Sequence, residues 1–267
     1  MNVALRAENA GVGIAFETHG RGAPLLLIQG LGYGGRGWGP AIEQLAESFL
    51  VVSFDNRGFG ASDSPPGPYT VAELASDAAA VLAAAGIERA HVVGASLGGM
   101  IAQELALSGP EQVQRLVLVS TTPGGIASYP MPAVTARLML AAAALDPDVA
   151  LRRFVENALG ADGAGRPELV ERILAYRRAN PPDTGGWQAQ AAAGAIFDAF
   201  DRIASIRTET LVVHGTEDAV VDPRNARLLA ERIPHARLEL LEGCGHLPFW
   251  EEPGRFCRLV RDFLSKP

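Results

Sequence analysis

The sequence predicts an α/β protein in which a mostly parallel, doubly wound sheet carries a helical cap insertion. Short apolar runs alternate with amphipathic or alanine-rich segments along most of the chain, as is typical of a parallel sheet with helices on both faces. This alternation stops between residues 121 and 207, where only helical patterns occur. A third observation is a strand, a sharp turn and a helix in direct succession around Ser96.

The predicted elements follow one another in a regular order. Residues 3–8 and 11–18 alternate between apolar and polar side chains, which predicts an antiparallel hairpin. Short apolar runs predict buried strands at 25–28, 49–54, 91–95, 115–120, 210–214 and 237–241. Helical patterns lie at 40–48, 71–85, 97–108, 223–232 and 254–265. Thr70 and Glu73 have the spacing of a capping box at the start of the second helix, and Gly86 is expected to end it.

We expect the chain to divide into a core formed by residues 1–120 and 208–267 and a cap formed by residues 121–207. The cap segment contains alanine-rich helical patterns near 132–145, 147–159, 167–179 and 186–203, with prolines between them. Open α/β sheets bind their ligands at the carboxyl ends of the strands, and the insertion follows the end of a predicted strand. The cap is therefore expected to lie over the functional site.

The segment 94–98, Gly-Ala-Ser-Leu-Gly, connects a predicted strand directly to a predicted helix. Such a connection strains the residue at its apex and requires small neighbours. Ser96 lies at the apex, which matches the G-x-S-x-G pattern of a nucleophilic serine. The start of the following helix also favours negative charge nearby, as acyl transfer requires. The alternative is a glycine-rich turn with an incidental serine.

A nucleophilic serine needs a general base, and His246 is the predicted base. It lies in the glycine-rich loop 243–246, after a predicted core strand and before the last helix. No comparable site-forming context surrounds the other four histidines, for which structural or surface roles are expected: His19, His91, His214 and His235.

Asp218 is the predicted acid that orients the base. It follows the predicted strand 210–214, so it reaches the same edge of the sheet as Ser96. Two further acids in this loop, Glu217 and Asp222, are the alternatives.

These motifs resemble those of the α/β-hydrolase family, and the resemblance extends over most of the chain. It rests on the segments 94–98, 214–218 and 245–248 and on the loop 55–62, Asp-Asn-Arg-Gly-Phe-Gly-Ala-Ser. The order serine, acid, histidine is that of the family. The most similar branch contains capped esterases, enol-lactonases and methylesterases.

The resemblance implies an oxyanion hole made of two backbone N–H groups. One belongs to Leu97, the residue after the nucleophile. The second follows a His-Gly pair in the family, whereas this chain has Gln29 and Gly30 there, which makes Leu31 the expected donor. The hydrogen bonding of Gln29 is the open question at this departure.

Residues 30–35 also match the dinucleotide-binding pattern G-x-G-x-x-G, and Asp55 lies twenty residues beyond the last glycine. In that motif the last glycine already lies inside the helix that binds the phosphates. Residues 36–40 are instead expected to continue a loop, and Asp55 to make a structural salt link or hydrogen bond. No cofactor is expected.

Composition excludes further classes of protein. The net charge of −7 is unfavourable for a nucleic-acid surface. Cys244 and Cys257 form no C-x-x-C pair and no histidine pair has ligand spacing, so neither disulfides nor a metal site are expected. Residues 1–10 lack the pattern of a signal peptide, and the longest apolar run, 138–145, is too short to span a bilayer. A cytoplasmic monomer or homodimer without nucleic-acid or membrane partners is expected.

Together these features predict a serine hydrolase that cleaves a small carboxylic ester or lactone through an acyl-enzyme. An enol-lactonase or a carbon–carbon bond hydrolase of aromatic-compound degradation would use the same three side chains, and a ligand receptor without turnover would use the same fold. The expected pocket residues are Tyr33, Trp38, Met131 and Trp187. Five arginines of the cap are candidates to bind a substrate carboxylate, although most are expected on a solvated helix face: Arg137, Arg152, Arg153, Arg177 and Arg178.

Overall fold

The computed structural model describes residues 5–265, in which one sheet of eight strands forms the centre of the protein. The strands are β1 (Leu5–Asn9), β2 (Val12–Gly20), β3 (Ala23–Ile28), β4 (Phe49–Phe54), β5 (Ala90–Ala95), β6 (Val113–Val119), β7 (Thr210–Gly215) and β8 (Ala236–Leu241). Their order across the sheet is β1-β2-β4-β3-β5-β6-β7-β8. Only β1–β2 and β2–β4 pair antiparallel, and the other neighbours are parallel. The predicted mostly parallel α/β sheet is confirmed.

The hairpin of β1 and β2 turns at Ala10 and Gly11, as the alternation of its residues predicts. Residues 3 and 4 of the predicted first strand lie outside the described residues. Of the parallel strands, β4 has the bounds that its apolar run predicts.

The sheet is covered on both faces by separate hydrophobic clusters. In β3, Leu26 and Ile28 face one cluster, and Leu25 and Leu27 face the other. Successive side chains of a strand point to opposite faces, so a strand buried on both sides must be apolar throughout. This explains why the central strands appear in the sequence as continuous apolar runs.

Eleven α-helices accompany the sheet in residues 5–265. They are α1 (Ala41–Ala46), α2 (Val71–Ala84), α3 (Leu97–Ser108), α4 (Ala133–Ala142), α5 (Pro147–Asn157), α6 (Ala161–Ala164), α7 (Pro167–Ala179), α8 (Thr184–Ile196), α9 (Arg224–Arg232), α10 (Pro248–Glu251) and α11 (Pro253–Leu264). The short helices α6 and α10 have no counterpart among the sequence predictions. Within residues 5–265, no helix combines the length and the apolar character that a bilayer crossing requires.

The segment between β6 and β7 contains the five helices α4 to α8 and no strand. Its last helix ends at Ile196, whereas the sequence predicts a helix to residue 203. Phe197 is extended, Asp198 forms a β-bridge with Gly124, and the N–H of Ala199 donates to the carbonyl of Pro123. This pairing with the segment after β6 ends α8 at Ile196. The division into core and cap domains at residues 121 and 207 stays a prediction.

The start of α2 offers a test of local sequence control. The hydroxyl of Thr70 accepts the N–H of Glu73 at 3.2 Å, and the Glu73 carboxylate accepts the N–H of Thr70 at 2.8 Å. Thr70→Ala removes the hydroxyl acceptor and should lower the free energy of unfolding by about 1 kcal/mol, measured by urea denaturation at 25 °C. Thr70→Ser keeps the acceptor and is the control. An equal loss in both variants would contradict the capping interpretation.

Candidate active site

Ser96 lies between β5 and α3 at the apex of a sharp turn, with φ of 56° and ψ of −120°. Two glycines permit this turn because their neighbours leave no space for a side chain. A Cβ at Gly94 would overlap the carbonyl oxygen of Gly98, and a Cβ at Gly98 would overlap the carbonyl oxygen of Ile28. The turn is therefore fixed by backbone packing against β3, and it holds Ser96 at the carboxyl edge of the sheet.

His246 and Asp218 form a buried hydrogen-bonded pair at the same edge of the sheet. The distance between His246 Nδ1 and Asp218 Oδ2 is 2.8 Å. The other carboxylate oxygen, Oδ1, accepts the N–H groups of Val220 and Val221 at 2.8 and 2.9 Å. The aspartate is thus oriented by its own loop, and it fixes the ring of His246 in turn.

The Asp218 carboxyl group is held in its charged form. Burial by itself would raise its pKa, but the charge of the neighbouring His246 and the hydrogen bonds from His214 and His246 outweigh burial. The pKa of Asp218 therefore lies below its ordinary value, and the group is an anion at neutral pH.

His214 contacts this pair, which the sequence analysis did not predict. Its Nε2 lies 2.9 Å from Asp218 Oδ2 and 3.1 Å from the carbonyl oxygen of Val221, and its side chain is fully buried. The sequence predicts a structural or surface role for His214, and its buried position agrees with a structural role, but its contact with Asp218 was not predicted. The spacing of four residues between His214 and Asp218, at the end of a buried strand, was the only available signal.

The two alternative acids have other partners. Glu217 accepts the N–H of Ala161 at 2.7 Å, and Asp222 forms an ion pair with Arg224 at 2.6 Å. Among the residues that the structure describes, Asp218 is the carboxylate that is hydrogen-bonded to His246.

Glu251 holds the loop of His246 in place, and sequence reasoning also missed it. Its carboxylate accepts the N–H of Gly245 at 2.9 Å and the N–H of Gly160 at 2.8 Å. The N–H of His246 donates to the carbonyl of Ala158 at 2.8 Å. Burial raises the pKa of Glu251 against the opposing effect of these hydrogen bonds. No local pattern marks this role, because the glutamate meets Gly160 only in the folded chain.

The loop after β3 passes beside Ser96, since a Cβ at Gly30 would contact the Ser96 side chain. The side-chain oxygen of Gln29 accepts the N–H of Gly30 at 2.8 Å, whereas its buried side-chain nitrogen makes no hydrogen bond within residues 5–265. Within residues 5–265, the N–H groups of Leu31 and Leu97 have no acceptor. Both N–H groups are therefore available to a ligand at Ser96.

A cavity of about 790 Å³ lies above this edge of the sheet, and Ser96 and His246 both line it. Most of its wall is apolar. The cavity is also lined by these residues that the sequence analysis names: Gln29, Gly30, Leu31, Tyr33, Leu97, Met131, Arg177, Trp187 and Asp222.

Trp38 does not line the cavity, which corrects the prediction that it contributes to the pocket. It is fully buried, and its ring lies 4.6 Å from that of Phe249 and 6.3 Å from that of Phe256. Trp38 ends a 3₁₀ helix (Gly35–Trp38) that turns the indole into the core beneath the loop. Trp38 therefore packs in the hydrophobic core and does not contact the cavity.

The match of residues 30–35 to a dinucleotide motif has a structural explanation. The last glycine begins the short 3₁₀ helix at Gly35, where the sequence analysis expected a loop, and α1 starts only at Ala41. Asp55 accepts the N–H groups of Gly35 and Ala61 at 2.8 and 3.0 Å, as its expected structural role requires. The acid thus joins two loops of the protein itself.

Comparison with known proteins identifies the class of fold. The sequence profile of the alpha/beta hydrolase fold family matches residues 23–253, which is most of the chain. The chain therefore belongs to the alpha/beta hydrolase fold family.

Individual relatives in this family have several activities. The chain is 34% identical to a 2-hydroxymuconate semialdehyde hydrolase from Pseudomonas putida, over 96% of this chain and 92% of that protein. It is 30% identical to a pimeloyl-(acyl-carrier protein) methyl ester esterase from Aeromonas hydrophila, over 94% of this chain and 99% of that protein. The enol-lactonase from Burkholderia xenovorans LB400 superimposes with a TM-score of 0.86 at 26% identity, over 98% of this chain and 100% of that chain.

The structure predicts the reactivity of the two cysteines, Cys257 and Cys244, of which Cys244 lies two residues before His246. Burial, together with Glu251 and Glu252, raises the pKa of this thiol to about 11, and burial raises the pKa of Cys257 to about 12. At pH 8 only about one thiol in a thousand would be a thiolate at a pKa of 11. Iodoacetamide should therefore leave both cysteines of the folded protein unmodified, as measured by mass spectrometry. Protein unfolded in urea is the control, and rapid alkylation of folded Cys244 would contradict the prediction.

Proposed function

We propose that this alpha/beta hydrolase is a serine hydrolase that cleaves a carboxylic ester or a lactone through an acyl-enzyme. The observation that carries the proposal is the hydrogen bond between His246 and Asp218 in a cavity that is also lined by Ser96. A base oriented by a buried carboxylate beside a serine at a strained turn is the arrangement that activates a serine hydroxyl.

In the proposed mechanism, Ser96 Oγ attacks the carbonyl carbon of the substrate while His246 Nε2 accepts the hydroxyl proton. Asp218 stabilises the imidazolium that forms. The proton then passes to the leaving alkoxide as the carbon–oxygen bond breaks. Water deprotonated by His246 attacks the acyl-enzyme, which releases the acid and restores Ser96.

The negative charge of the tetrahedral intermediate falls on the former carbonyl oxygen. The N–H groups of Leu31 and Leu97 are proposed to bind it. Their lack of an acceptor within residues 5–265 supports this role. Gln29 occupies the N–H of the intervening Gly30, which leaves the next N–H in the loop for the oxyanion.

The helices between Val119 and Thr210 are proposed to form the cap of the site. Met131 and Trp187, which line the cavity, belong to this segment. A largely apolar wall excludes water and favours an apolar acyl or alcohol group in the substrate.

Ser96→Ala should abolish covalent labelling by a fluorophosphonate and lower kcat for ester hydrolysis by roughly 10⁴-fold or more, because no other group supplies the nucleophile. Labelling is measured by intact-protein mass spectrometry and hydrolysis with a nitrophenyl ester. Ser205→Ala changes an exposed serine and is the control. Labelling that persists in Ser96→Ala would refute the nucleophile.

A second candidate is an enol-lactonase or a carbon–carbon bond hydrolase, because one similar structure is named an enol-lactonase and one relative is named a 2-hydroxymuconate semialdehyde hydrolase. A panel of nitrophenyl esters, lactones, enol-lactones and a ring-fission dienone separates the candidates. We expect turnover of esters or simple lactones. Inert esters with rapid turnover of an enol-lactone or the dienone would favour the second candidate.

A further inference from the structure

Among the described residues that line the cavity, Arg177 is the one arginine, and no lysine accompanies it. The other lining residue with a formal charge, Asp222, already forms an ion pair with Arg224. Because the rest of the wall is mostly apolar, the guanidinium group is the dominant electrostatic feature that a bound molecule meets beyond Ser96 and His246.

Arg177 lies on α7, and aromatic side chains from outside this helix hold it in place. Its guanidinium carbon lies 4.5 Å from the centre of the Tyr33 ring. A Cβ at Gly32 would lie 3.5 Å from Arg177 Nη2 and 3.3 Å from the indole of Trp187. The guanidinium group is therefore wedged beside the loop that follows β3, with its position set before any ligand binds.

Within residues 5–265, Arg177 makes no hydrogen bond and no ion pair. Its Nε atom is buried and has no acceptor, although the residue as a whole is half-buried. The adjacent Arg178 differs, since it pairs with Asp148 at 3.4 Å on the exposed side of the helix. The buried Nε cannot contact a molecule in the cavity, so the terminal Nη groups, which also make no hydrogen bond to the described residues, are the donors that a ligand carboxylate would bind.

The position of Arg177 relative to the reacting atoms follows from one loop. Gly30 contacts the Ser96 side chain, Leu31 supplies the proposed oxyanion donor, and Gly32 lies against Arg177 and Trp187. The guanidinium group of Arg177, on α7, therefore lies beside the end of this short loop that is farther from Ser96. Arg177 lines the same cavity as Ser96, Leu31 and Leu97.

We infer that Arg177 binds a free carboxylate of the substrate, at the end remote from the carbonyl group that Ser96 attacks. The planar guanidinium fork matches a carboxylate better than it matches any neutral oxygen group. The substrate class is then an ester or lactone that also carries a carboxylate, such as the monoester of a dicarboxylic acid. This inference rests on the proposed hydrolysis by Ser96.

The test compares monomethyl and dimethyl esters of the same dicarboxylic acids, from four to ten carbons. For the chain length that suits the cavity, the wild type should show a higher kcat/KM for the anionic monoester. Arg177→Gln should lower the ratio of monoester to diester kcat/KM by about 10- to 100-fold, mainly through a higher KM, because charged hydrogen bonds are lost. Arg178→Gln, in which the neighbouring arginine changes, is the matched control and should keep the wild-type ratio.

A wild-type ratio at or below one, or a ratio that stays within threefold after Arg177→Gln, would overturn the inference. The second result would mean that the arginine acts only through packing on Tyr33. If Arg177→Gln does not fold, Arg177→Lys replaces it in the test. The lysine keeps a positive charge but lacks the planar fork, so it should give an intermediate ratio of monoester to diester kcat/KM.

A binding measurement separates this inference from the proposed function. Ser96→Ala protein should bind a monomethyl dicarboxylate by calorimetry, and Ser96→Ala combined with Arg177→Gln should bind it at least tenfold more weakly. Binding that depends on Arg177 without hydrolysis by the wild type would refute only the proposed function. Hydrolysis of both esters with no effect of Arg177 would refute only the carboxylate site.

Discussion

The turn from β5 into α3 is the constraint on which the rest of the site depends. The backbone at Gly94 and Gly98 lies so close to its neighbours that any side chain would overlap a carbonyl oxygen. This packing holds Ser96 at a φ of 56°, where the serine is strained but fixed. Leu31, Asp218 and His246 lie in the segments that follow β3, β7 and β8, so the parallel sheet brings all three to the same carboxyl edge as Ser96.

The charged groups around this turn are arranged so that few are left without partners. Asp218 accepts hydrogen bonds from two backbone N–H groups and two imidazoles, which occupies both of its oxygens. A carboxylate saturated in this way remains ionised and rigid, and it holds His246 in one orientation. Arg177 is the contrasting case, because its half-buried cation packs on Tyr33 but has no hydrogen-bond acceptor or ion-pair partner within residues 5–265. The contrast distinguishes groups that the protein satisfies by itself from one that a ligand can satisfy.

Sequence patterns were sufficient where the controlling interactions are local. The apolar run of β4, the bounds of α3 and the capping box before α2 follow from neighbouring residues, and the structure contains all three. Long-range contacts escaped prediction. The bond of Glu251 to Gly160 joins residues 91 positions apart, and the end of α8 is set by pairing with the segment after β6. Trp38 was misplaced for the same reason, since only the fold shows that Phe249 covers it.

The bridge made by Glu251 also limits how the cavity can open. Because the glutamate ties Gly160 to Gly245, and Ala158 accepts the N–H of His246, an outward swing of the chain near residue 160 would drag the imidazole away. These hydrogen bonds hold that side of the cavity against the loop of His246. Met131 and Met139 line the cavity, and they are also 46% and 41% exposed. The cavity therefore opens to solvent on the side of these two methionines. Flexible thioether side chains at this opening can adapt to ligands of different shape while the hydrogen-bonded pair of His246 and Asp218 keeps its position.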